Sequence, residues 1–471
     1  MISSTLIQPT FISFFNEPNA GAIGGIVASF SAGATFGAYG CAFIADRFGR
    51  VWCLFTGAVI ALIGCALQAG AVNLAMLIIG RLINGIGAGQ LTAVFGVYAS
   101  EVAPPQVRGA FGGMQMLMIE GAIFAASATG YGFGVSFDNT VQWRGPLAVQ
   151  GIPLVFLIPI CYFLPESPRW LILKGKEGKA LEILKRIHNA AGEGFVRGEY
   201  QEIKDQIRAE QEMYQPTWTQ ILKKPSWRKR IILVCLLQTF AQLTGINCIK
   251  YYAGTIYEYL GFDTHQALML NLIYGAFGFV SAIFWVFTLD RFRRVRVLIV
   301  STCFMCAALL VQSVLSAVYT SKGTEITNQH PLRAQVAMFY IFNLFFVSVG
   351  TGSMLGWLIP PEMCPMVIRA KANSISVSTN NVVGLIVAQV SSVALKNIGF
   401  KFFYLFVAAD VVAALTYYFF FPETSKLTLE EIDVMFGDQV IDHTLQKDVI
   451  AATKPTRSET ENVDVEIASK A

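Results

Sequence analysis

Apolar segments of about twenty residues recur along the chain, and short polar turns separate them. A helix that crosses a bilayer needs about twenty apolar residues, whereas a barrel strand needs about ten and alternates polar with apolar positions. These segments do not alternate, so the pattern predicts transmembrane helices. The predicted spans are 21–44, 51–71, 74–97, 110–134, 146–164, 231–252, 267–289, 295–319, 334–359, 373–395 and 402–421.

The first fifteen residues, MISSTLIQPTFISFF, are too short and too polar to cross a bilayer alone. The pattern therefore predicts eleven full spans and part of a twelfth. We expect the natural protein to begin upstream of Met1, with a complete first span.

The composition agrees with an integral membrane protein. Of the 471 residues, 54% are hydrophobic and 14% are charged, whereas about 25% of residues are charged in a soluble domain. A net charge of +4 gives no reason to expect a nucleic-acid partner. The nine Cys lie almost wholly inside the spans and the four His lie far apart, so we expect no metal site and no cofactor.

The distribution of Lys and Arg predicts the orientation of the chain. The connection 166–230 carries fourteen of them, whereas the loops 135–145 and 253–266 carry almost none. Positively charged connections stay on the cytoplasmic side. We therefore predict a multi-pass protein of the plasma membrane with this connection and the C-terminal tail in the cytoplasm.

Two pairs of matching segments indicate an internal repeat. ADRFGRV (45–51) recurs as LDRFRRV (289–295), and EVAPPQVRG (101–109) recurs as EMCPMVIRA (362–370). Two six-span halves in parallel orientation explain both matches. The predicted organisation is an N-terminal bundle at 1–164, a helical cytoplasmic linker at 165–230, a C-terminal bundle at 231–421 and a cytoplasmic tail at 422–471.

Six segments, in this order and spacing, resemble signature elements of the sugar porter family of the Major Facilitator Superfamily. They are DRFGR (46–50), GRLINGIGAG (80–89), YASEVAPPQVRG (98–109), PESPRW (165–170), QLTGIN (242–247) and PETSKLTLEEI (422–432). The resemblance implies an all-α membrane protein of two six-helix bundles, the first helix truncated. It also implies uptake of a monosaccharide by alternating access in a bilayer, by a monomer, with proton symport favoured over facilitated diffusion. No Ser/His/Asp arrangement or carboxylate pair indicates hydrolysis, so we expect no enzymatic activity.

Polar and aromatic residues inside the spans are the candidate substrate-binding residues. Amide side chains donate and accept hydrogen bonds, as sugar hydroxyls require, and aromatic rings form a wall. The alternative for each amide is a hydrogen bond between helices. The candidates are Gln115, Gln238, Gln242, Asn247, Tyr251, Tyr252, Trp357, Asn380 and Asn381. By resemblance, the family's sugar-binding positions are matched by Gln115, Gln242, Asn247, Trp357 and Asn380.

Three ionisable residues are predicted to lie within the spans: Arg81, Glu120 and Lys250. Arg81 resembles the Arg that pairs in the family with a first-span Asp, which this chain lacks. It then pairs with a residue upstream of Met1, or uses water and carbonyl groups. Glu120 and Lys250 have three open roles: a pair across the halves, a site for an acidic sugar, or proton coupling.

Gly85 and Gly89 form a G-x-x-x-G face on one predicted helix. No strand precedes them, so they are not expected to hold a phosphate group. They instead predict a close contact between two helices.

Charged residues in the repeated turns predict a cytoplasmic gate. If the two bundles rock about a central site, these charges pair while the outside is open and separate as the inside opens. The alternative is that they only anchor the topology. The predicted gate residues are Asp46, Arg47, Arg50, Glu101, Arg108, Glu166, Arg169, Asp290, Arg291, Arg294, Glu362, Arg369 and Glu423.

The sequence leaves two other functions open. Lys250 is a cation that a sugar acid or a quinate-like polyol acid would attract. A sugar sensor that does not transport is the other alternative, and a long signalling tail would favour it. The tail here is about fifty residues long, which favours transport.

Overall fold

The computed structural model describes residues 2–102, 108–187, 193–212, 217–288, 291–320, 330–349, 354–424, 432 and 434–436. Every regular element in this part of the chain is helical. Residues 1–425 form one compact unit. In the second unit, 426–471, the described residues make a short turn in which the Phe436 amide donates to the Ile432 carbonyl at 3.3 Å.

Long helices form both halves of the first unit, and shorter helices connect them. The described helices of the N-terminal half are α1 (Ile2–Thr5), α2 (Pro9–Phe14), α3 (Ala20–Phe48), α4 (Arg50–Ala69), α5 (Leu74–Val102), α6 (Arg108–Ser136), α7 (Val141–Val149) and α8 (Ile152–Phe163). The connection contains α9 (Pro168–Leu173), α10 (Glu177–Ile187), α11 (Glu193–Glu212) and α12 (Trp218–Lys223). The C-terminal half contains α13 (Pro225–Leu243), α14 (Ile246–Tyr259), α15 (Thr264–Thr288), α16 (Arg294–Leu315), α17 (His330–Val349), α18 (Met354–Met363), α19 (Met366–Ile398) and α20 (Phe403–Phe420).

Eight helical runs in the described residues are long and apolar enough to cross a membrane. One run, 367–420, contains two predicted spans, so the eight runs account for nine of the eleven. The predicted span 110–134 lies on α6, and 334–359 lies on α17 and α18. The prediction of an all-α membrane protein with two helical bundles is confirmed.

The polar start of the chain folds as two short helices, α1 and α2, rather than as a span. The rings of Phe11, Phe14 and Phe15 surround Trp143 of α7, with centroid distances of 5.8, 5.4 and 5.3 Å. Phe11 and Trp143 are fully buried. This aromatic cluster holds the first fifteen residues against the N-terminal half.

A glycine breaks the helix that leads into the candidate site. Gly245, which separates α13 from α14, has φ of +84°, a conformation that glycine adopts without steric cost. A Cβ atom at this position would lie 2.6 Å from the ring of Phe406 on α20. Gly245 therefore marks the break between α13 and α14.

Glycines also allow α3 and α5 to pack with their backbones in contact. A Cβ atom at Gly85 would meet the carbonyl oxygen of Phe30, and one at Gly89 would meet that of Ala34. Both distances would be below 3.0 Å, which real Cβ atoms essentially never show. The close helix contact that the G-x-x-x-G face predicted is therefore confirmed.

Among the described residues, three pairs of helices from different halves pack most extensively. Helix α3 packs against α19, α6 against α15, and α1 against α14. In the first pair, the Ser392 hydroxyl donates to the Ala20 carbonyl at 2.6 Å, and the Gln389 amide donates to the Gly21 carbonyl at 3.3 Å. These contacts lie on the interface between the two halves.

An ion pair joins α10 to α11 in the connection between the halves. The Tyr200 hydroxyl donates to Glu177 at 2.7 Å, and Lys204 lies 3.0 Å from the same carboxylate. These two hydrogen bonds, that of Tyr200 first, lower the pKa of Glu177 from its ordinary value of 4.5. A carboxylate with a lowered pKa stabilises the folded state above its ordinary pKa, and the contribution disappears as the pH falls through the lowered value.

We therefore expect backbone hydrogen exchange of α11, corrected for its intrinsic pH dependence, to accelerate when the pH falls below 4.5. The pair is exposed, so the effect should be small. Hydrogen exchange measured by mass spectrometry on the full chain tests this. Glu177→Gln should abolish the acceleration, and an identical pH profile in that variant would contradict the assignment.

Candidate functional site

Polar groups from three helices meet at Gln238 of α13. The Gln238 amide donates to the Gly356 carbonyl of α18 at 2.8 Å and to the Ser376 hydroxyl of α19 at 2.9 Å. The Asn380 amide donates to the Gln238 carbonyl oxygen at 2.7 Å. Gln238 is buried, whereas Asn380 is only half-buried. The two predicted amides therefore lie together, and Asn380 reaches open space.

A second amide pair lies beside this group, on either side of the break at Gly245. The Asn247 amide donates to the Gln242 side-chain oxygen. A Cβ atom at Gly384 of α19 would lie 3.2 Å from Gln242 Oε1 and 3.3 Å from Asn247 Nδ2. Gly384 follows Asn380 by four residues, so both amide groups face the same side of α19. We call Gln238, Gln242, Asn247 and Asn380 the amide cluster.

Of three other predicted residues, two adjoin residues of this site in the sequence, and the side chain of the third lies outside the described residues. Trp357 follows Gly356, whose carbonyl belongs to the contacts of Gln238, and Trp357 itself is 43% exposed. Asn381 is half-buried, one residue beyond Asn380 on α19. The side chain of Gln115 on α6 lies outside the described residues.

The two adjacent tyrosines of α14 point to different neighbours. Tyr252 is buried and its hydroxyl donates to the Ala388 carbonyl of α19 at 2.9 Å, so it ties α14 to α19. Its backbone is kinked, with φ of −114° and ψ of 17°. Tyr251 is half-buried and lies beside Ser31 of α3 and Arg81 of α5, both in the N-terminal half.

Arg81 is buried between α3 and α5. Its Nε donates to the Ile26 carbonyl at 2.5 Å, and its guanidinium lies 5.5 Å from the centre of the Phe30 ring. A backbone carbonyl and an aromatic face thus stabilise the charge. This is the carbonyl arrangement that the sequence left open.

Glu120 and Lys250 form an ion pair across the two halves. Lys250 Nζ of α14 lies 3.0 Å from Glu120 Oε1 of α6. Glu120 is almost fully buried, and the Lys250 side chain is 19% exposed. Of the three roles that the sequence left open, the structure has the pair between the halves.

Arg50 is the centre of a charge cluster at the start of α4, in the N-terminal half. Its Nε and Nη2 donate to the two oxygens of Glu101, each at 3.0 Å. Its Nη1 donates to the Ala45 carbonyl at 3.1 Å and to Asp46 at 3.3 Å. Arg50 and Glu101 are nearly buried, whereas the Asp46 side chain is 78% exposed. The two parallel bonds to Glu101 are the stronger interaction.

Glu166 completes this cluster by capping α4. Its carboxylate accepts hydrogen bonds from the backbone amides of Arg50 at 2.9 Å and Val51 at 3.3 Å. The partial positive charge at a helix N-terminus favours a carboxylate there. A Cβ atom at Gly49 would approach the Glu166 carboxyl carbon to 2.9 Å, so a larger residue there would push the carboxylate away from its present position.

The C-terminal half repeats the arrangement. Arg294 forms an ion pair with Glu362, which also accepts a hydrogen bond from Thr424 at 3.1 Å. The carboxylate of Glu423 accepts from the Val295 amide, at the start of α16, at 3.3 Å. Arg294 and Glu362 are more exposed than their N-terminal counterparts, with side-chain exposures of 21% and 24%.

The two clusters have the same construction. In each, an arginine at the start of a helix pairs with the glutamate of the second repeated segment. In each, a glutamate just after the last predicted span of that half, Glu166 or Glu423, caps the start of the helix that carries the arginine. The pairs of Arg50 with Glu101 and of Arg294 with Glu362 each lie within one half.

Arg47 and Arg369 make contacts of other kinds, with aromatic rings and with a backbone carbonyl. The Arg47 guanidinium lies 5.9 and 5.5 Å from the ring centres of Phe43 and Phe48. Arg369 Nε donates to the Cys364 carbonyl at 3.2 Å, within its own half.

The remaining predicted gate residues are Arg108, Arg169, Asp290 and Arg291. Arg169 is half-buried at the start of α9, and Arg291 is exposed. The side chain of Arg108 and the whole of Asp290 lie outside the described residues.

Sequence reasoning missed two members of the amide cluster's surroundings, Ser376 and Gly384. Ser376, Asn380 and Gly384 are spaced by four residues and share one face of α19. This spacing was visible in the sequence, but serine and glycine are common throughout the spans. A surface cavity of about 520 Å³ lies elsewhere, lined by Leu260, Phe262 and Leu332 among others, and contains none of the predicted residues.

The fold and the site define a multi-pass helical membrane protein with two related halves and a cluster of amide side chains in the C-terminal half. The family model described as "Sugar (and other) transporter" matches residues 1–436. The chain is 34% identical over 458 residues to the MFS-type transporter criB of Aspergillus cristatus. This alignment covers 96% of this chain and 93% of the relative. It is 32% identical over 393 residues to Sugar transport protein 10 of Arabidopsis thaliana, covering 83% and 74%.

The solved structures give the same answer for the fold. The inward-open conformation of the xylose transporter XylE from E. coli aligns with a TM-score of 0.74 at 23% identity, covering 92% of this chain and 96% of that chain. The chain belongs to the sugar porter family of the Major Facilitator Superfamily, as the six sequence segments predicted.

Proposed function

We propose that this protein carries a monosaccharide across the plasma membrane by alternating access. The observation that carries the proposal is the amide cluster: four amide side chains from α13, α14 and α19 face one another, with Asn380 and Asn247 only half-buried. Each amide offers a donor and an acceptor, which a sugar hydroxyl needs. The exposed indole of Trp357 supplies the aromatic wall.

The site also lies where two moving halves would enclose a ligand. Helices α13, α14 and α19 belong to the C-terminal half, and α14 contacts the N-terminal half through Tyr251 and Lys250. Rocking of the halves about this point exposes it to one side at a time. Uptake, proton coupling, a monomeric state in the bilayer and a cytoplasmic linker and tail complete the proposal.

A neutral substrate fits the charges better than a sugar acid. The sugar-acid alternative depends on Lys250 as an uncompensated cation, but Lys250 is paired with Glu120 at 3.0 Å. The pair has no net charge to attract an anion. We therefore expect neutral monosaccharides to compete with one another for transport, and hexuronates or quinate to compete weakly.

Gln242→Ala is expected to reduce uptake of the preferred sugar at subsaturating concentration by about tenfold or more. A lost hydrogen bond that leaves a polar group unpaired costs about 1–3 kcal/mol, and 1.4 kcal/mol is a factor of ten. Uptake of radiolabelled sugars by the full chain in proteoliposomes, over a panel of hexoses and pentoses, measures this effect.

Asn373→Ala is the matched control, because Asn373 is an exposed amide on α19 outside the cluster. It should leave uptake within twofold of the unmodified protein. Equal uptake by Gln242→Ala and the unmodified protein would contradict the proposed site. A protein that binds sugars and transports none of them would instead be a sensor.

A further inference from the structure

A second group of polar side chains lies next to the amide cluster, where α6, α14, α15 and α17 meet. It consists of the Glu120–Lys250 pair together with Tyr274 and Asn343. A Cβ atom at Gly278 of α15 would lie 3.1 Å from Glu120 Oε2 and 3.0 Å from Asn343 Nδ2, so these two groups border the same small space. Tyr274 lies near enough to Glu120 for the two side chains to interact electrostatically.

Two atoms of this group have no hydrogen-bond partner among the described residues. They are the hydroxyl of Tyr274 and the side-chain oxygen of Asn343, and their side chains are 3% and 1% exposed. The amide nitrogen of Asn343 is occupied, because it donates to the Tyr274 carbonyl at 3.3 Å. Leaving a buried polar atom unpaired is unfavourable, so two such atoms beside an ion pair indicate a site for a ligand.

The types of atom in this group decide the chemical class of the ligand. The ammonium of Lys250 and the hydroxyl of Tyr274 donate, whereas Asn343 Oδ1 and Glu120 Oε2 accept. A carboxylate would be attracted by Lys250 but repelled by Glu120 and Asn343 Oδ1. A hydroxyl group both donates and accepts, so it satisfies a donor and an acceptor of the group at once. Hydrogen bonds to the two charged groups are stronger than those to neutral ones.

The position of Lys250 relates this group to the amide cluster. Lys250 follows Asn247 by three residues on α14, so the two side chains share one face and are separated by about 4.5 Å along the axis. One sugar ring spans this distance. The Lys250 ammonium also lies 5.6 Å from the centre of the Phe346 ring of α17, which bounds the group on that side.

We propose that Glu120, Lys250, Tyr274 and Asn343 form a second polar subsite that binds hydroxyl groups at one end of a neutral sugar. This proposal rests on the proposed transport function and extends it, because the subsite would determine which hydroxyl pattern the protein accepts. The amide cluster holds one edge of the ring, and the charged subsite holds the opposite edge.

The first test is Tyr274→Phe, measured by uptake kinetics and by thermal unfolding of the purified full chain. The removed hydroxyl has no partner among the described residues, so its loss should leave the melting temperature unchanged or raise it. If the hydroxyl binds the sugar, KM should rise at least fivefold while the maximal rate stays within twofold. Tyr340→Phe is the control, because the Tyr340 hydroxyl donates to the Leu270 carbonyl at 3.0 Å. It should lower the melting temperature and leave KM unchanged.

The second test compares glucose with its monodeoxy analogues in the unmodified protein and in Glu120→Gln/Lys250→Met. We expect one deoxy analogue to be penalised at least tenfold by the unmodified protein and less than threefold by the double variant. Glu177→Gln/Lys204→Met removes an exposed ion pair of the linker and should keep the original pattern.

Three outcomes would overturn the proposal, and they are distinguishable. Unchanged KM in Tyr274→Phe, with equal deoxy penalties in the double variant, would mean that the group only ties the halves together. Better uptake of glucuronate than of glucose, abolished by Lys250→Met, would mean that the subsite binds a carboxylate. Absence of uptake of every neutral sugar by the unmodified protein would contradict the proposed function, and the subsite proposal with it.

Discussion

Arg50→Met is expected to destabilise the protein by about 3–5 kcal/mol, the cost of breaking a buried ion pair by removing one partner. The Arg50 side chain is 8% exposed and satisfies both oxygens of Glu101, whose side chain is 10% exposed. Methionine is also unbranched, so the change removes the charged guanidinium group while keeping an apolar side chain in its place. The carboxylate of Glu101 would then remain buried without its cation.

The measurement is thermal and denaturant unfolding of the purified chain in detergent, together with the yield of monodisperse protein. Arg47→Met is the matched control on the same turn, because Arg47 is exposed and contacts the faces of Phe43 and Phe48. It should change the unfolding free energy by less than about 1 kcal/mol. Arg50→Met/Glu101→Gln should recover part of the loss, since the second change removes the orphaned charge.

The repeated structure adds a comparison within the molecule. Arg294→Met removes the equivalent arginine of the C-terminal half, where the pair with Glu362 is more exposed. Solvent screens a more exposed pair, so the destabilisation should be smaller than that of Arg50→Met. Equal stability of Arg50→Met and Arg47→Met would contradict the structural role assigned to Arg50.

The internal repeat is the feature that the sequence predicted best, because it depends on residue identity alone. The segments around Asp46 and Glu101 and their later copies indicated which charges are equivalent. They did not indicate how those charges pair, since every arginine of the turns had several glutamates within the same predicted region. The structure resolves this through backbone geometry: Glu166 and Glu423 cap helix starts, which leaves Glu101 and Glu362 for the arginines.

The candidate site was predictable where a side chain and its neighbour lie on one regular helix. Gln238 and Gln242 are four residues apart and share a face of α13, whereas Asn247 lies on α14, beyond Gly245. The direction of Tyr252 was not predictable, because a kink in the backbone at that residue turns its hydroxyl to the Ala388 carbonyl. The pairing of Glu120 with Lys250 was also left open, since it depends on how two helices of different halves pack.

Gly89→Val is expected to disrupt the packing of α3 against α5 and to prevent accumulation of folded protein. The added Cβ atom would meet the backbone carbonyl of Ala34, and a carbonyl inside a helix cannot move aside as the end of a flexible side chain can. Two further methyl groups enlarge the conflict. Overpacking a core usually costs about 1–3 kcal/mol, and a contact with backbone places this change at or above that range.

Gly96→Val is the matched control, because Gly96 lies seven residues further along α5 and a Cβ atom there would meet no neighbouring heavy atom within 4 Å. Valine has a higher helix propensity than glycine, so this variant should be as stable as the unmodified protein or slightly more stable. Expression as a fluorescent fusion, followed by size-exclusion chromatography and thermal unfolding, compares the two. Folded Gly89→Val at the level of Gly96→Val would show that the packing of α3 against α5 does not depend on this contact.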